Sequence, residues 1–216
     1  MAEKRWKLFT QQPDITKSLS DKLKVSSLLS QCLLNRDIKS LQEASEFLEP
    51  LKPYSINFET SLLDPICAVL TDCRAHQKRV LLYGDYDVDG MTSSALMGSI
   101  LRKLGIDCRP FVPNRFKQGY GLHVPTVTHL IQKEGYDALI TLDCGITNVK
   151  EISEIKNSFS IPVIVIDHHR IPDPPPPADA ILNPKVYDDE HILSGLCTVG
   201  IVYKLLDYYL NSIGSD

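Results

Sequence analysis

The sequence predicts an α/β protein, a parallel sheet with helices on both faces, preceded by a helical N-terminal arm over residues 1–78. Three observations predict it. Short apolar runs, VLLY at 80–83, ALITL at 138–142 and PVIVI at 162–166, are too brief for helices and rich enough in β-formers to read as buried strands. Segments with apolar residues at helical spacing alternate with them. Each run also ends in residues able to hold a cation: Asp85, Asp87 and Asp89 after the first, Asp143 after the second, and Asp167, His168 and His169 after the third. Ligands of a parallel sheet bind at the carboxyl ends of its strands, so these three ends are expected to converge although they are far apart in the chain.

In the arm, Leu23, Leu28, Leu29, Cys32 and Leu33 trace one apolar helical face. Ser40 with Glu43 has the spacing of a capping box before Ala44, Phe47 and Leu48, and Pro50 stops that helix. A third helix runs through Leu62, Leu63, Ile66, Val69, Leu70 and Cys73. After the first strand, residues 91–104 carry a helical pattern closed by Gly105, and residues 106–112 read as a second strand. Pro125 suits the first turn of a helix to Glu134, with Gly135 as its stop. A helix from Thr147 as N-cap to Asn157 follows the third strand. The proline cluster within 171–177 is a stiff connector, residues 180–182 form a short strand, and an apolar helix passes through Val202, Leu205, Leu206 and Tyr209.

The acidic turn DYDVDG is the densest chemical signal. Carboxylates so closely spaced stay ionised together only when a cation or several strong donors offset their repulsion. A calcium loop of the EF-hand kind shares the opening spacing, but its twelfth position would be Leu96 where a bidentate Glu is required, and a strand stands where the entering helix should be. Adjacent histidines in extended backbone point to opposite sides, so His168 and His169 are expected to divide their work, one on metal and one toward substrate, with Asp167 orienting an imidazole.

Residues 113–123, PNRFKQGYGLH, read as a ligand loop. Asn114, Arg115 and Lys117 supply polar contacts for phosphate, Phe116 and Tyr120 supply stacking faces, and Gly119 and Gly121 permit close backbone approach.

Composition limits the alternatives. The 216 residues, 43% hydrophobic and 23% charged, can bury an ordinary core, and a net charge of −4 gives no global basic field for nucleic acid, so such a partner needs a local lining. Six cysteines without C-x-x-C spacing exclude a zinc ribbon or a disulfide scaffold and fit reduced thiols. The N-terminal residues MAEKRWKLF lack the apolar run of a signal peptide and nothing is apolar enough to span a membrane, which predicts a cytoplasmic protein with no membrane partner.

The ordered set GDYDVDGMTS, LDCGIT and IDHH resembles the DHH phosphoesterase superfamily and, within it, the RecJ family of single-strand-specific exonucleases. The likeness continues through LLNRDIKSLQEASEFLEPL, VPNRFKQGYGLH, ILNPK and LSGLCTVGIVYKL, nearly the whole chain. It implies a DHH phosphoesterase domain over 79–216 that stops before a fourth acidic motif and a second domain. It also implies a two-metal site for manganese or magnesium that releases nucleotides from a 5′ end of single-stranded DNA in repair and recombination. Carried over by motif, Asp85, Asp87 and Asp89 hold metal, Asp143 bridges, and His168 is the imidazole ligand. His169 touches the scissile phosphate, and Asn114, Arg115, Gly119 and Tyr120 line the strand. A single-strand-binding protein and a helicase are the protein partners the resemblance suggests. Many relatives carry His where Tyr83 stands. Two rival readings are a superfamily relative acting on short or small nucleotide substrates, including oligoribonucleotides, and a catalytically silent scaffold.

Overall fold

The structure is a computed structural model that describes residues 9–49, 56–188 and 191–214. It contains two compact units, Met1–Ser55 and Ile56–Asp216.

The first unit holds α1 (Pro13–Leu23), α2 (Ser27–Leu34) and α3 (Leu41–Leu48) around Leu19, Leu33, Leu34 and Ala44. The single apolar face expected from Leu23 to Leu33 is not one face. Lys24, at φ 57°, ends α1 in the left-handed region, and the Ser26 side chain restarts the helix by accepting from Leu29 N–H at 3.2 Å. The break resets the helical phase and leaves Leu28 exposed. The capping box of α3 forms in both directions between Ser40 and Glu43. Pro50 lies outside the described residues, and α3 already ends at Leu48 with Glu49 extended.

The second unit begins with α4 (Thr60–Ala75), whose Leu63, Ile66, Leu70 and Cys73 share a core with the sheet. Residues 56–78, counted above with the helical arm, therefore belong with the strands. In order follow β1 (Arg79–Gly84), α5 (Val88–Lys103), β2 (Asp107–Phe111), α6 (Arg115–Gln118), α7 (Val124–Glu134) and β3 (Ala138–Leu142). The chain continues through α8 (Val149–Ser158), β4 (Val163–Ile166), β5 (Ala180–Leu182) and α9 (Thr198–Ser212). The five strands pair in parallel in the order β2-β1-β3-β4-β5. The direction of winding reverses between β1 and β3, which makes the carboxyl ends of those strands the natural ligand crevice.

Alternation along the strands divides the core. Val80, Leu82, Ile140, Leu142, Ile164 and Ile166 face α4, α5 and α9, whereas Leu81, Tyr83, Leu139, Val163 and Val165 face α7 and α8. Both faces are covered, which is why these runs are apolar almost throughout instead of alternating with polar residues; the exception, Thr141, is buried with its hydroxyl donating to Ile164 O at 3.4 Å.

Helix starts differ from expectation where a side chain has other work. Helix α5 begins at Val88 because Asp87 caps it, accepting from Gly90 N–H at 3.0 Å. Helix α8 begins at Val149, not after a Thr147 cap, and its N-cap Asn148 makes no side-chain cap bond; that amide oxygen accepts instead from Leu122 N–H at 3.2 Å. The short α6 inside the 113–123 loop is capped by Asn114, whose side-chain oxygen accepts from Phe116 N–H at 3.0 Å.

The described cysteines are all free, and four of them, Cys67, Cys73, Cys108 and Cys144, are buried. Among the described residues no helix is long and apolar enough to cross a membrane.

Ile140 is fully buried at the middle of β3, the central strand. Ile140→Ala should lower the unfolding free energy by about 2–5 kcal/mol through lost burial and a residual cavity, read as a lower urea midpoint with an unchanged denaturant slope.

Candidate metal centre

The parallel ladder runs one bond beyond three strands and ends on three aspartates. Asp85 N–H donates to Leu142 O at 3.1 Å, Asp143 N–H to Ile166 O at 3.0 Å, and Asp167 N–H to Leu182 O at 3.2 Å. Three successive gaps of the sheet thus each close on a carboxylate-bearing residue. Asp85, Asp143 and Asp167 are consequently buried in a row along the carboxyl edge.

The turn after each strand then aims the side chains. After β1, the first turn of α5 folds onto Asp85 so closely that a Cβ on Gly90 would meet the Asp85 backbone at 2.5 Å, which is why this position takes glycine. After β3, Asp143 itself adopts φ 63°, a left-handed conformation that aspartate tolerates better than most residues. After β4, Asp167 organises the histidine turn. Its Oδ1 accepts from His168 N–H at 2.7 Å, His169 N–H at 3.0 Å and His169 Nδ1 at 2.7 Å, while Oδ2 accepts from Ile146 N–H at 3.1 Å.

That turn overrides the expectation that the two histidines point apart. The alternation rule needs extended backbone, and here the backbone curls around the Asp167 carboxylate; the rings end 4.5 Å apart between centroids. The orienting role expected of Asp167 falls on His169. The neighbouring Asn183 adds a further strut, donating from Nδ2 to His169 O at 2.9 Å.

Among the described residues two groups of potential ligand atoms converge, each within 4.8 Å: Asp85 with Asp87 and Asp143, and Asp143 with His168 and His169. Asp143 is common to both. His168 Nε2 lies 3.4 Å from Asp143 Oδ1. Asp89, expected alongside its neighbours, enters neither group. Its Oδ2 accepts from Thr198 N–H at 2.7 Å and its Oδ1 from Val199 N–H at 2.8 Å, so both oxygens are engaged with the first turn of α9. His168 Nε2 is 3.8 Å from Asp89.

The electrostatics follow the burial. Loss of solvent, reinforced by Asp89 and Asp87, pushes Asp143 up to about 8 even though the Thr198 hydroxyl opposes the shift. Burial also raises Asp85, whereas the Gly90 amide lowers Asp87. Burial acts to lower His169, but the Asp167 hydrogen bond and the surrounding carboxylates outweigh it, so this imidazole is raised above its ordinary value. Carboxylate oxygens and imidazole nitrogens in this mixture suit manganese and accept magnesium, and the unrelieved charge at Asp143 is what a divalent cation would offset.

The 113–123 loop lies beside this edge. The Arg115 guanidinium stands 5.3 Å from the centroid of the Tyr86 ring, next to Asp85. Tyr120 is raised to about 12 by burial of its phenol and by the fields of Asp167, Asp85 and Asp143. Phe116 is exposed, Asn114 is engaged as the α6 cap, and Gly119, at φ 77°, has open space where a Cβ would stand. Tyr83 holds the far side of the loop. Its buried hydroxyl donates to Gly121 O and accepts from His123 N–H, both at 3.3 Å, and burial raises the phenol to about 12, so it remains neutral. Sequence patterns did not single out Thr198, whose hydroxyl donates to Asp143 Oδ1 at 2.8 Å, because a threonine opening an apolar helix looks like an ordinary helix start.

Asp143 binds its proton more tightly when folded than when unfolded, where its value is about 3.9. Its contribution to stability is therefore fully present below about pH 4 and is lost as pH rises toward about 8. In chelator, the contribution of this residue to the thermal midpoint should fall between about pH 5.5 and 8.5, and Asp143→Asn should flatten that slope. Tyr83→Phe should cost about 1 kcal/mol and increase amide exchange in residues 121–123 while leaving manganese affinity unchanged.

A model of the DHH family, N-terminal domain, matches residues 79–215. The single-stranded-DNA-specific exonuclease RecJ of Haemophilus influenzae is 36% identical over 80% of this chain and 28% of its own length. RecJ of Bacillus subtilis is 29% identical over 98% of this chain and 27% of its own. A crystal structure of RecJ from Thermus thermophilus in complex with Mn2+ superposes with a TM-score of 0.67 at 27% identity, over 97% of this chain and 29% of that one. The chain thus spans under a third of the length of these relatives. The family match runs from the first residue of β1 to beyond α9 and takes in every turn of the acidic and histidine edge, and on that ground the chain belongs to the DHH family.

Proposed function

We propose that this chain carries the catalytic centre of a metal-dependent exonuclease that hydrolyses phosphodiester bonds of single-stranded DNA from the 5′ end, a cytoplasmic activity in repair and recombination. The observation that carries the reading is Asp143, the one carboxylate common to both convergent ligand groups. The names of the relatives supply the substrate class, and the 5′ polarity is what the motif resemblance implies.

In this reading Asp85, Asp87 and Asp143 would hold one cation, and Asp143 with His168 would hold the second. A bound pair of divalent cations would supply charge neutralisation at the phosphate and a nucleophile from water near neutral pH. Asp89 is assigned the anchoring of α9, because both its oxygens accept from backbone amides there and it stands in neither convergent ligand group. His169, with Nδ1 fixed on Asp167, keeps Nε2 to donate to an oxygen of the scissile phosphate. Its raised proton affinity favours the charged donor. Arg115 and Tyr120 contact the strand, and Asn114 and Gly119 shape the turn that presents them. The motif-bearing part, residues 79–216, is read as the DHH phosphoesterase domain. A single-strand-binding protein and a helicase are its natural suppliers of substrate.

Manganese-dependent release from 5′-labelled single-stranded DNA, duplex DNA and a dinucleotide tests the proposal. The expected result is 5′ mononucleotides, preferentially from the single strand. Asp143→Ala should reduce that rate by at least about 100-fold with the fold retained, since loss of an outer partner alone costs about 10–100-fold. Near-normal hydrolysis by that variant would remove Asp143 from its bridging place, and a preference for the dinucleotide would transfer the chain to the small-substrate relatives.

A further inference from the structure

We propose that Thr198 is a positioning residue for the Asp143 carboxylate, and through it for divalent-cation binding at this edge. The inference rests on the reading of Asp143 as the shared ligand. Thr198 opens α9 and is fully buried. Its hydroxyl donates to Asp143 Oδ1 at 2.8 Å and its backbone N–H donates to Asp89 Oδ2 at 2.7 Å. One residue therefore bonds both the carboxylate that follows β3 and the carboxylate in the first turn of α5.

The need for such a tie follows from the chemistry of Asp143. The terminal torsion of an aspartate is broad, so the backbone alone does not fix the plane of its carboxylate. Asp87 and Asp89 repel that carboxylate, and burial removes the water that would otherwise hold it. A carboxylate that serves two ligand groups tolerates little rotation, because turning toward one group turns it from the other. The Thr198 hydroxyl supplies a donor at a defined place on Oδ1, the oxygen that also lies 3.4 Å from His168 Nε2. The hydroxyl is in turn located by the Asp89 carboxylate, which accepts from the N–H groups of Thr198 and Val199. Asp89 thereby influences the centre without entering either ligand group.

The experiment is a calorimetric titration of the full 216-residue chain with manganese chloride. It compares the parent with Thr198→Val, which keeps the shape and loses the donor, Thr198→Ala and Thr198→Ser, which keeps the donor, and thermal unfolding is measured in chelator. Manganese affinity should fall about 10–100-fold in Thr198→Val and Thr198→Ala, the range seen when an outer partner of a ligand is removed, while Thr198→Ser stays within about threefold. Should Thr198→Val fail to fold, Thr198→Ala against Thr198→Ser makes the same comparison. A lowered thermal midpoint with unchanged manganese affinity would reduce Thr198 to a packing role and overturn the proposal. Absence of manganese binding by the parent would instead overturn the shared-ligand reading, and this inference with it.

Discussion

Carboxylates crowded along one edge of a parallel sheet set the terms for the rest of this structure. The ladder carries Asp85, Asp143 and Asp167 one residue past adjacent strands and buries all three, and buried charge is costly unless donors or cations surround it. The surroundings resolve that cost differently at each position. Asp167 is met by three backbone N–H groups and an imidazole nitrogen. Asp87 caps α5 and Asp89 receives the first amides of α9, where the helix dipole also favours a negative charge. Asp143 has the Thr198 hydroxyl and two carboxylate neighbours, and it is the group pushed furthest from its ordinary range among these acids. Charge is thus satisfied around the rim of the centre and left over at the point where the two ligand groups meet.

The same edge explains the arrangement of the flanking elements. Helix α9 is pinned through Asp89, and the histidine turn is wound around Asp167, with Asn183 fastening it from the β5 side. The 113–123 loop is tied from beneath by Tyr83 and from the side by Asn148, while Arg115 stacks near Tyr86 at the acidic turn. Tyr83 lies at the end of β1, one residue before Gly84 and the acidic turn. Its side chain points to the α7 and α8 face of the sheet, and the hydroxyl serves the loop. The phenol of Tyr120 is therefore presented beside the carboxylates by a loop with a fixed base, and Phe116 on the same loop is exposed.

Much of this could be read from the sequence because parallel strands covered on both faces leave continuous apolar runs, and because the ends of those runs carried unusual residue types. Strand positions, the parallel order of layers and the convergence of Asp85, Asp87, Asp143, His168 and His169 follow from that pattern. What escaped it depends on side-chain competition. Asn148 was drawn to the 113–123 loop instead of capping α8, and Asn114 capped a short helix that periodicity is too coarse to detect. The relative direction of His168 and His169 departs from strand alternation because they lie past the end of β4, where Asp167 bends the chain. Asp89 looked equivalent to Asp85 and Asp87 by spacing; its distinction is a contact with α9, more than a hundred residues away, that no local pattern encodes. Thr198 was invisible for the same reason.

Anomalous diffraction at the manganese edge, from crystals of this chain grown with manganese chloride, tests the central claim most directly. The account predicts two peaks about 3.5–4 Å apart with the Asp143 carboxylate between them, one beside Asp85 and Asp87 and the other beside His168. A single peak away from Asp143, or two peaks that it does not bridge, would contradict the shared-carboxylate centre.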